Sequence, residues 1–295
     1  MAFVVPDELR TLRQSDFGTG LSCGRKLWIG KVDGLRRPST KKQIYGSAFH
    51  KGVENLYRSV KLGDRLDYLE AKAEAVESVK VAFALADPEI LELEEGETVQ
   101  SATAVAGGLV LRGLDYYIAS VFPGIISLGD PAAIEERLEF EYRGFQLNGT
   151  IDLIDGNACL VDHKFSGMYL TKRWPDSYLS QLGRYAWFLE KSKAPIADIR
   201  LDMISYARAN RKKDPLLEYH PYTLADAGVD LPTLIRLGKE SVDALLDMIE
   251  AGIFPRAGAN SFGLGCGNCG FKGALCESTP AALSAPAAPS IALAS

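Results

Sequence analysis

Apolar residues recur at helical spacing in QIYGSAFHKGVENLYRSV (43–60), where Ile44, Phe49, Val53, Leu56 and Val60 share a face, so this stretch is predicted to be a helix with one buried side. Two further helices are expected over about 68–86, rich in Ala, Glu and Lys, and over about 98–120, with the helix-breaking PEILELEEGE between them. The period changes at Ala133. IEERLEFEY (134–142), FQLNGTIDLI (145–154) and ACLVDH (158–163) are short and β-rich in part. Arg143-Gly144 and Asp155-Gly156-Asn157 between them are the residues of tight hairpin turns, so the three strands are expected to form an antiparallel meander. A helix over about 177–191 (SYLSQLGRYAWFLEK), a strand over 198–207 (DIRLDMISYA), another at about 216–222 and a long helix near 231–251 follow. The pattern is that of an α/β sheet with a helix packed across it. From Ser278 the chain is Ala, Pro and Ser almost throughout, which predicts a disordered tail over 278–295.

Composition adds little to this picture, but charge distribution does. The 295 residues are 47% hydrophobic and 24% charged, ordinary globular proportions with a sizeable core. No apolar run approaches the roughly 18 residues that cross a bilayer, and no signal-peptide pattern opens the chain, so a soluble cytoplasmic protein with no membrane partner is expected. The net charge of −5 is uneven: residues 1–60 carry 11 basic and 5 acidic side chains (+6), residues 61–141 carry 6 and 17 (−11), and the remainder 16 and 16. A polyanionic partner is therefore compatible with the acidic total. The acidic region, about 61–130, reads as a solvated helical insert.

The meander holds the first candidate chemistry. Asp152 lies late in one strand; Asp162 closes the next, followed by His163 and Lys164. Alternation puts Asp162 and Lys164 on one face, and the turn at 155–157 makes the strands neighbours, so both carboxylates can converge on one hard cation such as Mg²⁺ or Mn²⁺. A lysine beside them can orient or deprotonate a water and offset charge developing on a phosphate. The flanking Ile151, Leu153, Leu160 and Val161 are apolar, so the acids interrupt strands that otherwise favour burial and need partners there.

Asp152, Asp162-His163-Lys164 and Gln181-Leu182-Gly183-Arg184-Tyr185 resemble the PD-(D/E)XK nuclease superfamily in its RecB-type branch, with its metal acids, acid-X-Lys motif and Q-x-x-x-Y helix. Gly46-Ser47-Ala48-Phe49-His50 is similar to the G-x-x-x-H of the same branch. The resemblance spans about 45–207 and implies a restriction-endonuclease-like core, a central mixed sheet flanked by helices. It also implies roles. His50, Asp152 and Asp162 would bind metal with the backbone carbonyl of His163, and Lys164 would be the catalytic lysine. Gln181 and Tyr185, at i and i+4, would face the same cleft and position DNA or the lysine. Glu135 or Glu136 corresponds to an acid on the branch's first core strand.

The cysteines form a second constellation. Five are too few and too uneven for a secreted disulfide framework. Cys266, Cys269 and Cys276 bunch in a Gly-rich stretch and Cys23 is a fourth from the other end; four thiolates suit Zn²⁺ or a [4Fe–4S] cluster, and spacing alone does not choose. One Cys before the core and three after it resembles the iron–sulfur RecB-type nucleases, among them CRISPR-associated and AddB-type exonucleases, which implies a [4Fe–4S] staple across a single nuclease domain of residues 1–277, with the catalytic core at about 131–222. Cys159, in an apolar strand, reads as a small buried hydrophobe.

Candidate nucleic-acid contacts are Trp28, Arg36 and Arg37 in the basic stretch 25–42, with Lys172, Arg173 and Arg211-Lys212-Lys213 further on: phosphate contact plus stacking on Trp28 would suit single-stranded or frayed ends. Together these imply a Mg²⁺- or Mn²⁺-dependent DNA exonuclease in recombination, repair or phage DNA processing, in company with a recombinase, annealing protein or helicase. Alternatives are a CRISPR-adaptation nuclease, an RNA-directed nuclease and a non-catalytic iron–sulfur DNA-binding scaffold.

Overall fold

The computed structural model describes residues 3–35, 39–62, 67–86, 91, 93–171, 176–192, 194, 196–207 and 216–256. Cys266, Cys269, Cys276, Arg36, Arg37, Lys172, Arg173, Arg211-Lys212-Lys213 and the tail from Ser278 lie outside them. The described residues fall into two compact units, one drawn from 1–37, 139–148 and 239–295, the other from 38–138 and 149–238.

The larger unit is a mixed sheet with helices against it. Its helices are α4 (Lys41–Leu62), α5 (Tyr68–Leu85), α6 (Val99–Ser120), α7 (Phe122–Ile126), α8 (Asp176–Lys191) and α9 (Leu224–Ala227). Its strands are β2 (Ala133–Tyr142) and β3 (Phe145–Ile154), each running on into the smaller unit, with β4 (Cys159–Ser166), β5 (Asp198–Ser205) and β6 (Glu218–Thr223). β3, β4, β5 and β6 are neighbours in that order, and β2 pairs with β3. β3–β4 is antiparallel with Leu153 opposite Val161, β4–β5 parallel with Asp162 opposite Leu201, and β5–β6 antiparallel. In the β3–β4 turn Asp155 Oδ1 accepts from the amides of Asn157 (2.9 Å) and Cys159 (3.0 Å), the local hydrogen bonding that makes Asp a turn former.

The smaller unit holds α1 (Asp7–Arg10), β1 (Thr11–Arg13), α2 (Gln14–Ser22), α3 (Gly24–Lys31) and most of α10 (Leu231–Glu250). There β1 pairs in parallel with Gln146–Asn148 of β3. The β2–β3 turn takes Arg143 and Gly144 both to positive φ (53° and 74°), as a two-residue hairpin turn requires. From it the Arg143 guanidinium bridges Asp247 and Glu250 of α10, each at 2.6 Å.

Two expectations are corrected. β4 runs to Ser166 rather than stopping at 163, because Phe165 is a buried core residue stacked on Phe49 of α4 (4.8 Å, 15°); Asp162 and Lys164 are consequently mid-strand. The helical region is no solvated insert. α5 buries Ala71, Ala75, Val79 and Phe83, and α6 buries Ala102, Ala106, Leu109, Val110, Leu114 and Tyr117, in one cluster with Leu153, Val161 and Phe165 of the sheet. Small alanine faces let the helices pack closely while the acids point outward, which net charge alone does not reveal. α6 comes so near β4 that a Cβ on Gly113 would stand 2.6 Å from the Phe165 ring.

Candidate active site

α4 carries His50 at the margin of its buried face, directly after Phe49, so the stacking of Phe49 on Phe165 fixes where the imidazole can reach. His50 Nδ1 lies 3.3 Å from Asp152 Oδ2. One ligand atom each from His50, Glu135 and Asp152 falls within 4.8 Å of the others, a nitrogen and two carboxylate oxygens of the kind that suits a hard divalent cation.

Glu135 joins them through an unusual backbone. Its φ is 46°, in the left-handed region that a residue with a Cβ avoids, and such strain persists only where surrounding structure enforces it. The strand loses alternation around it: Ala133 and Ile134 are both buried, and Glu136 and Arg137 both exposed. Of the two acids, it is Glu135 whose carboxylate lies with His50 and Asp152, while Glu136 is exposed. Burial, then the charges of Asp152 and Glu54, push its carboxyl up to about 7. Asp152 goes the other way: burial opposes ionisation, but His50, Lys164 and the His163 amide, which donates to Oδ2 at 2.8 Å, hold it below the usual carboxylate value.

Asp162 lies outside that trio. Its Oδ2 pairs with Lys164 Nζ at 2.5 Å, and Gln181 Nε2 of α8 donates to Oδ1 over a long 3.5 Å. Burial raises Asp162 to about 6, with Asp152 adding to the rise and Lys164 opposing it. Burial works against the charge of Lys164, yet Asp162 and Asp152 outweigh it and hold the ammonium above its ordinary value. The Lys164 and His50 side chains keep 19% and 24% of their surface, so both remain reachable by a substrate. Tyr185 is buried on the same face of α8, its hydroxyl raised by burial and by Asp162 and Asp152.

Two features escaped the sequence. Tyr178, three residues before Gln181 on the same helical face, sets its ring 5.7 Å from Lys164 Nζ; the i, i+3 spacing was the available signal. A groove of about 700 Å³ beside His50 and Glu135 is lined by Ser39, Gln43, Ser47, Lys51 and Ser78 among others, polar residues that form no motif in the sequence. His163 sends only its main chain toward the acids; its ring is buried on the opposite face.

The sequence profile of the PD-(D/E)XK nuclease superfamily matches residues 12–277. The chain belongs to this superfamily. It is thus a nuclease, of a superfamily that uses divalent metals and acts on DNA. A Eubacterium rectale protein with the provisional designation of exonuclease has a similar fold, with a TM-score of 0.53 at 10% identity over 86% of this chain and 86% of that one. A second solved structure, SSO0001, reaches a TM-score of only 0.27 at 14% identity, over 71% of this chain and 77% of that one. No curated protein matches the sequence.

The remaining sequence-predicted residues lie elsewhere. Cys23 is half-buried between α2 and α3, and Cys159 is buried in β4. Trp28 of α3 packs edge-on against Phe254 at 4.9 Å. Of the nearby cations, Lys31 pairs with Asp16 and Lys41 with Glu97, at 2.9 and 2.7 Å. Among the described residues no helix is long and apolar enough to cross a membrane.

Proposed function

We propose that the chain is a Mg²⁺- or Mn²⁺-dependent deoxyribonuclease acting from DNA ends, its metal held by His50, Glu135 and Asp152 with Asp162 and the His163 carbonyl alongside. The observation that carries this reading is the convergence of those three donors within 4.8 Å, next to the Asp162–Lys164 pair, in a superfamily of nucleases. When bound, the cation supplies a Lewis acid for the scissile phosphate and acidifies a water. The chain's own residues do the rest. Lys164, kept protonated by Asp162 and Asp152, serves as a fixed cation and hydrogen-bond donor to the phosphate or the attacking water rather than as a base. Gln181 steadies Asp162, and Tyr178 and Tyr185 wall the lysine from the α8 side. Exonuclease action, and a place in recombination, repair or phage DNA processing, rest on the RecB-type motif order.

A [4Fe–4S] cluster on Cys23, Cys266, Cys269 and Cys276 completes the proposal, with zinc as the other metal such thiolates hold. Its support is where the described chain ends. A Cβ on Gly24 would stand 2.9 Å from Phe254 Cα, and the Arg25 amide donates to the Pro255 carbonyl at 3.2 Å. The polypeptide leading to Cys266 thus sets out from beside Cys23. Iron, zinc and visible absorption of anaerobically purified protein, with and without Cys23→Ala, separate the two metals. Arg36, Arg37, Lys172 and Arg173 are proposed phosphate contacts.

The function is tested with end-labelled linear single- and double-stranded DNA and matched RNA, in Mn²⁺, Mg²⁺ or EDTA. Metal-dependent shortening of DNA, reduced roughly 10²-fold or more in Lys164→Ala, is expected. Cleavage that survives EDTA, or that Lys164→Ala leaves unchanged, would sink the assignment.

A further inference from the structure

Tyr57, Tyr117 and His163 each keep about 1% of their surface and lie together in the helical layer, with Phe122 against both tyrosine rings. An apolar trio of similar volume would fill the same space without desolvating two hydroxyls and an imidazole. The polar groups satisfy one another instead. The Tyr57 and Tyr117 hydroxyls share a hydrogen bond of 2.6 Å, and Tyr117 Oη is 2.8 Å from His163 Nε2.

His163 carries this chain through the sheet. Its ring faces Tyr117, while its main-chain N–H donates to Asp152 Oδ2 at 2.8 Å, the oxygen that also lies 3.3 Å from His50 Nδ1. His50 and Tyr57 both belong to α4, seven residues and about two turns apart. The contacts therefore close a circuit: α4 at His50, β3 at Asp152, β4 at His163, α6 at Tyr117, and α4 again at Tyr57. A helix tied at two points along one face has both its rotation and its axial position set, and with them the placement of the His50 imidazole against Asp152.

We propose that Tyr117, on a helix that supplies no candidate ligand, is a positioning residue for the metal site, acting through His163 on Asp152 and with Tyr57 on His50. This inference rests on the metal reading above. It gives the acidic helical region a task beyond core filling: α6 tunes how tightly the cation is held. Partners standing behind metal ligands typically change affinity about 10–100-fold when removed.

The test is Mn²⁺ titration of the full chain, followed by the paramagnetic resonance of the free ion, for wild type, Tyr117→Phe, Tyr57→Phe and Val79→Ala. Val79 is fully buried in α5, which supplies no member of the circuit, and it is apolar, so its truncation lowers stability without removing any of the circuit's polar contacts. Tyr117→Phe is expected to weaken Mn²⁺ binding about tenfold, Tyr57→Phe by a smaller factor because Tyr117 keeps its bond to His163, and Val79→Ala not at all although its Tm falls. Wild-type affinity in Tyr117→Phe, or an equal loss in Val79→Ala, would overturn the inference. Should Tyr117→Phe fail to fold, Tyr57→Phe decides: weaker binding than Val79→Ala supports the circuit and unchanged binding refutes it. A wild type that binds no Mn²⁺ would overturn the metal reading itself and this inference with it.

Discussion

Acid should destabilise this protein through His163 in a definite window. Burial pushes the imidazole down to about 4, against an ordinary value of about 6.5, while Asp202 and Asp152 pull the other way. The folded pKa is depressed, so below pH 6.5 the unfolded chain binds the proton first and stability falls with falling pH until the folded state is protonated near pH 4. Integrating that single titration gives a loss of roughly 2 kcal/mol at pH 5 and roughly 3 kcal/mol at pH 4 relative to neutral. His163→Gln supplies the comparison: it keeps a polar group for Tyr117 but has nothing to titrate, while the other ionisable groups stay in place. Urea unfolding of both proteins at pH 7.5, 6, 5 and 4, with equal m-values as a check on the transition, gives the difference directly. Wild type should be the more stable at pH 7.5 and lose that lead progressively below pH 6. A difference that stays flat from pH 7.5 to 4 would refute the reasoning, because it would mean that His163 is hydrated or already charged in the fold.

Glu135→Gln should raise the stability of the metal-free protein at pH 8, where the native carboxylate is ionised against burial, Asp152 and Glu54, and should weaken Mn²⁺ binding; thermal melts with and without Mn²⁺ check both, and a loss of stability without metal would contradict the crowding. Gly113→Ala should destabilise by about 1–3 kcal/mol despite the better helix former, because the new Cβ meets the Phe165 ring at 2.6 Å; a Phe165→Leu background should recover most of that loss in denaturant melts, and no recovery would place the clash elsewhere.

What the sequence discloses and what it withholds follow from the range of the interactions. Helices and strands with one buried face announce themselves by period, which is why α4, β3, α8 and α10 were legible within a residue or two. The acid-X-Lys pair was legible as well, since alternation alone puts Asp162 and Lys164 on one face. Glu135 was legible only as one of a pair with Glu136, because its left-handed φ breaks the alternation from which its direction would be read. The burial of α5 and α6 was not legible, since alanines and glycines such as Ala71, Ala75, Ala102, Ala106 and Gly113 dilute the larger apolar residues of their faces and are weak signals that gain meaning only when another helix comes within reach. The Tyr57–Tyr117–His163 chain was the least visible: its members are 60 and 46 residues apart, and each alone passes for an ordinary core residue. The same separation makes the chain informative. A contact spanning three elements at 1% exposure exists only if all three are placed correctly, so a probe of Tyr117 reports on the geometry of His50 and Asp152 without touching either.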